Sequence, residues 1–240
     1  MKMLVLAGGF GTRLKDVVND VPKPMVPING TPLLQLQLDH WIHQGQQKFI
    51  FLLHHQASVI VDLLATQSKL LGDKVDIEWI VEDTPLGTGG SVLNAITTHG
   101  LEGYVLIANA DTWLDGGIQE LKGISSPVVA AVKVNDSSRY GSILIDSKGC
   151  VSEFVEKQTG CMAHTPGIIN AGLYKLPAEL FLNISRKEFA IETEVLPQLA
   201  TKKSLQAELL GGTFFDIGVP QDYYKFCDWY KHKKKIRGYT

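Results

Sequence analysis

The sequence predicts an α/β fold. Short apolar runs of strand length alternate with stretches of helical periodicity from end to end. The first run passes directly into a glycine-rich loop, as a strand–loop–helix unit would. No composition shift marks a linker and no internal repeat breaks the alternation, so residues 1–240 read as one domain with a sizeable core.

Each element has its own reason. Met3 to Ala7 is an uninterrupted apolar run and reads as a buried first strand. Thr31 is a good N-cap and Pro32 a good first helical residue. Leu34, Leu38, Trp41 and Ile42 then fall on one helical face. Phe49 to Leu53 is the next buried strand. Val59, Ile60, Leu63 and Leu64 mark a second helix. Val75, Ile77, Trp79 and Val81 alternate as a strand does. A helix is expected from Gly89 or Gly90, with buried strands at Tyr104 to Ala108 and Val128 to Val134. Further strands are placed at Ser142–Ile145, Val151–Val155, Ile168–Tyr174 and Thr213–Phe215. Helices are placed at Ala178–Leu182, Glu192–Ala200 and Gln221–Tyr230. The basic tail Lys231–Arg237 reads as a solvated helix end whose cations complement the helix dipole.

Composition excludes several classes. Hydrophobic residues make up 45% and charged residues 20%, which are globular values. The formal charge of −2 argues against binding nucleic acid through bulk positive charge. No apolar run is long enough to span a bilayer. The opening residues turn glycine-rich too soon for a signal peptide. Cys150, Cys161 and Cys227 form no CxxC pair, which excludes a disulfide framework and a Cys-rich zinc site. They read as reduced thiols of a cytoplasmic protein.

Two segments carry chemistry. Leu6-Ala7-Gly8-Gly9-Phe10-Gly11-Thr12-Arg13-Leu14 follows the first strand. Glycines let such a loop turn sharply and aim its N–H groups at phosphate oxygens. The P-loop pattern is absent. The dinucleotide fingerprint fails, because Leu14 stands where its third glycine or alanine belongs. A simple tight turn and a phosphate loop with Arg13 as its own cation both stay open at this point. The second segment is Val21-Pro22-Lys23-Pro24-Met25-Val26-Pro27. Its prolines would hold Lys23 in an extended conformation, as a rigidly placed cation for a triphosphate requires, although the segment alone reads more readily as a surface lysine in a proline-rich loop.

Together, GGxGTRL followed by PKPMVP resembles the sugar-1-phosphate nucleotidyltransferases, and later segments extend the resemblance over nearly the whole chain. It implies a three-layer α/β/α, Rossmann-like nucleotidyltransferase fold with a mostly parallel central sheet. Residues 1–112 would form the nucleotide-binding half and 113–240 mainly the sugar-phosphate-binding half. The implied reaction joins a sugar 1-phosphate to a nucleoside triphosphate and releases pyrophosphate. Arg13 and Lys23 take the catalytic roles, binding the triphosphate and stabilising charge at the α-phosphorus. Leu6, Ala7, Gly8, Gly9, Gly11 and Thr12 would bind the nucleotide with them, as would Asn109. Glu82-Asp83-Thr84-Pro85-Leu86-Gly87-Thr88-Gly89-Gly90 resembles the family's base-binding loop, which brings in Glu82, Pro85, Gly87 and Thr88. Thymidylyl and uridylyl enzymes commonly place Gln where this chain has Glu82. A carboxylate only accepts, and guanine offers two adjacent donors, so Glu82 points to GTP. The helix that follows would place its positive end near the nucleotide.

Asp111 and Asp216 align with the family's magnesium-binding aspartates, which implies Mg2+ as cofactor. Ala110 stands where many members have Gly. Arg139-Tyr140-Gly141 resembles the turn along the sugar, implicating Tyr140 and Gly141. Phe154-Val155-Glu156-Lys157 resembles F-x-E-K, in which Glu156 binds sugar hydroxyls and Lys157 the sugar phosphate. Ile169-Asn170-Ala171-Gly172 resembles the N-A-G strand, adding Asn170 and Gly172. Glu192–Pro197 matches a further family segment whose role is less defined. His54, His55 and the cysteines are expected to be structural, and no covalent nucleophile is needed.

The wording VPKPMVPINGTPLL, EDTPLGTGG and FFDIGVPQDYYKF is most similar to bacterial D-glycero-D-manno-heptose 1-phosphate guanylyltransferases, with mannose 1-phosphate guanylyltransferases as near neighbours. The expected partners are GTP and a sugar 1-phosphate, with no nucleic acid and no membrane. A homo-oligomer is left open. The implied setting is nucleotide-sugar supply for capsule or surface polysaccharide. The rival readings are the same reaction with dTTP or UTP and a hexose 1-phosphate, a non-catalytic nucleotide-sugar sensor, and a glycosyltransferase. The last has no need of a loop and lysine aimed at leaving pyrophosphate.

Overall fold

The computed structural model describes residues 1–11, 14, 21–155 and 165–237. The chain opens with β1 (Met3–Leu6). A 3-10 turn at Lys23–Met25 precedes a hairpin of β2 (Pro27–Ile28) and β3 (Thr31–Pro32). Then α1 (Leu33–His43), β4 (Lys48–Leu53), α2 (Ala57–Leu71), β5 (Asp76–Val81), α3 (Gly87–His99) and β6 (Tyr104–Asn109) alternate. Next come β7 (Thr112–Leu114), α4 (Ile118–Gly123), β8 (Val128–Val134), β9 (Ser142–Ile145), β10 (Val151–Val155) and β11 (Gly167–Pro177). The chain continues through α5 (Glu179–Leu182), a π-helical turn at Ile191–Val195, α6 (Leu196–Thr201), β12 (Gln206–Leu209), β13 (Phe214–Asp216) and α7 (Pro220–Arg237).

The main sheet runs β10-β9-β11-β6-β1-β4-β5, with β8 and β12 beyond β11. β1 pairs in parallel with β4 and β6, and β4 with β5. β12 pairs in parallel with β8. Antiparallel β11 joins these two parallel groups, pairing with β6 and with β8.

Strand alternation builds the layers. Successive side chains point to opposite faces. Met3 and Val5 enter one core with α1, α2 and α4, while Leu4 enters the other with α3, α5 and α6. All three residues are fully buried. Apolar cover on both faces is what a parallel sheet requires. A third core lies under α7, where Leu14, Val26 and Ile28 meet Trp113, Ile217 and Phe226.

Several boundaries differ from expectation. Thr31 does not cap α1. It pairs with Ile28 in the hairpin, the Leu33 N–H donates to the Val26 carbonyl at 3.0 Å, and Pro32 becomes the N-cap. The helix expected over Glu192–Ala200 is a π-helical turn followed by α6. The strand β12 was missed because Gln206-Ala207-Glu208-Leu209 has no apolar run, and its pairing with β8 defines it. The hairpin, β7 and α4 were missed because they are short. The basic tail is not solvated throughout. Lys233 pairs with Asp115 and lies 4.4 Å from the centre of the Trp229 ring.

Candidate active site

The carboxyl ends of β1, β4 and β6 open on one side of the sheet, where ligands of open α/β folds bind. A cavity of about 330 Å3 lies there. Ten of the expected nucleotide-binding residues line it: Leu6, Ala7, Gly8, Gly9, Lys23, Glu82, Pro85, Gly87, Thr88 and Asn109. Gly11 acts from behind. Its φ is +60°, and a Cβ there would stand 2.9 Å from the Lys23 Cβ, so glycine lets Lys23 pack against the loop. Thr12 and Arg13 lie outside the described residues.

Lys23 is largely buried and its ammonium pairs with the Asp111 carboxylate. Glu82 is only 8% exposed. Burial pushes its carboxyl up, against the opposing effects of the Ser91 hydroxyl, the Leu86 N–H and nearby His54.

His54, expected to be structural, bonds the backbone at Glu82. Its Nδ1 donates to that carbonyl at 2.9 Å, and the ring lines the same cavity. Phe10, half-exposed in the glycine loop, stands edge-on to it with ring centres 5.7 Å apart. The α3 N-terminus stands at this cavity, as expected, with Gly87 and Thr88 in the lining. The helix begins at Gly87, and the N–H groups of Gly89 and Gly90 donate to the Phe189 carbonyl at 2.9 and 3.2 Å. Those two amides are therefore capped by the chain itself and not directed at a nucleotide.

A second cavity of about 350 Å3 adjoins the first, and Thr88, Asn109 and Asp111 line both. Its wall also holds Tyr140, Gly141, Asn170 and Gly172, all expected on the sugar side, and Asp216, expected as a metal ligand. Glu156 and Lys157 lie outside the described residues. Gly172 has φ +72°, and a Cβ there would meet the Asn109 Nδ2 at 2.8 Å. Only glycine lets β11 pass so close to the end of β6. The two aspartates come together because β7 and β13 pair, setting Asp216 opposite Thr112. The Ile217 N–H donates to the Asp111 carbonyl at 2.9 Å.

Arg139 donates to both Asp222 and the Tyr140 hydroxyl. Burial opposes its charge, but these two partners outweigh burial and raise its pKa. Burial also raises Tyr140, with Arg139 opposing and Asp216 and Asp222 reinforcing, so its phenol stays protonated. Behind this pair a larger open groove of about 1030 Å3 shares Arg139, Tyr140, Phe214 and Asp216 with the second cavity.

Sequence reasoning missed Ser91, which was hidden as an ordinary helical serine. It quoted Arg139 and Glu192 only as parts of longer segments. The pairing of Arg139 with Asp222, 83 residues away, has no local signal.

Known proteins are similar to this chain over nearly its whole length. The chain is 35% identical over 227 residues to D-glycero-alpha-D-manno-heptose 1-phosphate guanylyltransferase of Campylobacter jejuni, covering 94% of this chain and 98% of that protein. It is 30% identical over 228 residues to the catalytic subunit beta of mannose-1-phosphate guanylyltransferase of Drosophila melanogaster, covering 92% of this chain and 60% of that one. The crystal structure of HddC from Yersinia pseudotuberculosis complexed with GMP-PN superposes with a TM-score of 0.81 at 33% identity, covering 95% of this chain and 99% of that one. Residues 2–232 match the nucleotidyl transferase family, and the chain belongs to it.

Proposed function

We propose that the protein transfers GMP from GTP to D-glycero-α-D-manno-heptose 1-phosphate, giving GDP-heptose and pyrophosphate. The observation that carries this reading is the junction of two cavities at Thr88, Asn109 and Asp111, with Lys23 beside it. A nucleotide in one and a sugar phosphate in the other would bring their phosphates together there.

Each residue has a task. Glu82, a buried acceptor lining the first cavity, would receive the two donors of guanine. Lys23 would stabilise negative charge on the triphosphate as the sugar phosphate oxygen attacks in line. Arg13 takes the companion role by resemblance. Tyr140, Asn170 and Gly172 would orient the sugar, with Glu156 and Lys157 assigned to its hydroxyls and phosphate by resemblance. Asp111, in the turn before β7, and Asp216, on β13, offer two hard oxygen ligands, a donor set that fits Mg2+. Among the described residues no group of three or more His, Cys, Asp or Glu could hold an ion, so phosphates and water would complete the coordination. When bound, Mg2+ would neutralise charge between the two phosphates.

The heptose assignment is supported by the C. jejuni relative, which this chain matches along 98% of its length; the chain spans 60% of the Drosophila mannose relative. Among the described residues no helix is long and apolar enough to cross a membrane. A cytoplasmic enzyme supplying surface polysaccharide synthesis fits this reading.

The test is pyrophosphate release from GTP, ATP, CTP, UTP or dTTP, each with heptose, mannose or glucose 1-phosphate and Mg2+. Turnover with GTP and the heptose phosphate should exceed that with the mannose phosphate. Preference for mannose overturns the sugar assignment. Preference for UTP or dTTP overturns the base assignment and leaves the reaction. No turnover by protein that still binds a nucleotide-sugar overturns catalysis in favour of a sensor.

A further inference from the structure

We infer that Glu192 is a positioning residue that couples the two substrate sites; the inference rests on the two-substrate reading above. Glu192 opens the Glu192–Pro197 segment and sits in the π-helical turn, an irregularity often found at functional sites. Both of its carboxylate oxygens are engaged. Oε2 accepts from the Thr88 hydroxyl at 2.7 Å, and Oε1 accepts from the Tyr174 hydroxyl at 3.4 Å.

Glu192 itself lines the sugar-side cavity, and its two partners lead one to the wall shared with the nucleotide-side cavity and the other to Asn170. Thr88 stands in the first turn of α3 and lines both cavities. Its hydroxyl also accepts from the Ile191 N–H at 2.9 Å, which anchors the π-helical turn to α3. Tyr174 is fully buried and accepts from the Asn170 Nδ2 at 2.7 Å. The Asn170 Oδ1 in turn accepts from the Gly172 N–H at 3.0 Å. Asn170 and Gly172 line the sugar-side cavity.

Polarity makes this chain directional. From Gly172 through Asn170 and Tyr174, and from Ile191 through Thr88, every donor points towards Glu192. Only a group that accepts at both ends can close it, and a carboxylate does so. An amide cannot. Its NH2 would face one of the two hydroxyls and leave a donor without an acceptor. A shift of α3 as nucleotide fills the first cavity would therefore be felt at Asn170, through a continuous hydrogen-bonded path. The backbone supports the same path, since Phe189 caps α3 and its own N–H donates to the Leu86 carbonyl at 3.1 Å.

The experiment measures binding coupling in the full-length protein. The affinity for α,β-methylene-GTP is determined by calorimetry with and without saturating sugar 1-phosphate, with Mg2+ present. Wild type should bind the analogue roughly fivefold or more tightly when the sugar phosphate is bound. E192Q and Y174F should each bring that ratio to within about twofold of unity, while affinity for the analogue alone stays within about threefold of wild type. Y174F severs the path away from both cavity walls and decides the matter if E192Q fails to fold. The inference is overturned if wild type shows no coupling or if both folded variants retain it. The same measurement with the α,β-methylene analogue of UTP separates the two readings. Coupling seen only with the UTP analogue would sink the guanine assignment and leave the role of Glu192 standing.

Discussion

Replacing Glu82 with Gln tests base selection with almost no change of shape. The carboxylate is 8% exposed, and burial raises its pKa despite the Ser91 hydroxyl and the Leu86 N–H. Two consequences follow with opposite signs. A carboxylate whose folded pKa lies above its unfolded value stabilises most when protonated. That contribution is complete below the ordinary glutamate range and is lost as pH rises through the raised value. At neutral pH Glu82 therefore costs stability, and E82Q should melt at or above the wild-type temperature. Binding moves the other way. Guanine presents two donors, and hydrogen bonds to a charged group are worth about 1.5–3 kcal/mol each. Gln keeps one acceptor and turns the other into a donor facing a donor. The loss should be about 2–4 kcal/mol, or roughly 30- to 1000-fold in kcat/KM for GTP. Uracil alternates acceptor and donor, which matches Gln, so turnover with UTP should hold or rise. In wild type, KM for GTP should also climb as acid protonates Glu82, and E82Q should lack that limb. The assays are pyrophosphate release with both nucleotides across pH and a thermal melt. The reasoning is refuted if E82Q keeps GTP turnover and base ranking unchanged. A large fall in melting temperature would instead make Glu82 a structural residue.

Other substitutions probe the remaining parts. K23M removes the cation beside Asp111 and should lower kcat for pyrophosphate release by about 100- to 1000-fold, as loss of one preorganised donor does. D216N should raise the Mg2+ concentration for half-maximal turnover by at least about tenfold, and manganese binding followed by electron paramagnetic resonance should weaken in parallel. G172A places a Cβ 2.8 Å from the Asn109 Nδ2 at φ +72°, so it should cost about 1–3 kcal/mol in chemical denaturation and impair sugar-phosphate KM. An unchanged denaturation midpoint would show that β11 can shift there at no cost.

Much of the fold was legible because its signals are local. A strand needs only its own apolar run, and a helix face needs residues within a few turns. That is why Val128–Val134, Ser142–Ile145 and Val151–Val155 were placed to the residue. The loop glycines and Lys23 stood out in local motifs, but Lys23 opens a 3-10 turn and is not held extended as its prolines suggest. The packing of Gly11 against Lys23, 12 residues apart, is by contrast a tertiary contact.

What only the tertiary structure decided involves partners far apart in sequence. Lys23 meets Asp111 across 88 residues, and Thr88 meets Glu192 across 104. Phe189 caps the Gly89 and Gly90 amides of α3 from a distant part of the chain. β12 is a strand only because β8 accepts it as a neighbour. Residues such as Glu192, His54 and Ser91 look ordinary within their own segments. Their roles depend on what the sheet order and the paired strands set beside them, and no window of sequence carries that information. The sequence by itself determined the alternation of elements and the chemistry stocked in its loops. The order of strands determined which of those groups face one another across the two cavities.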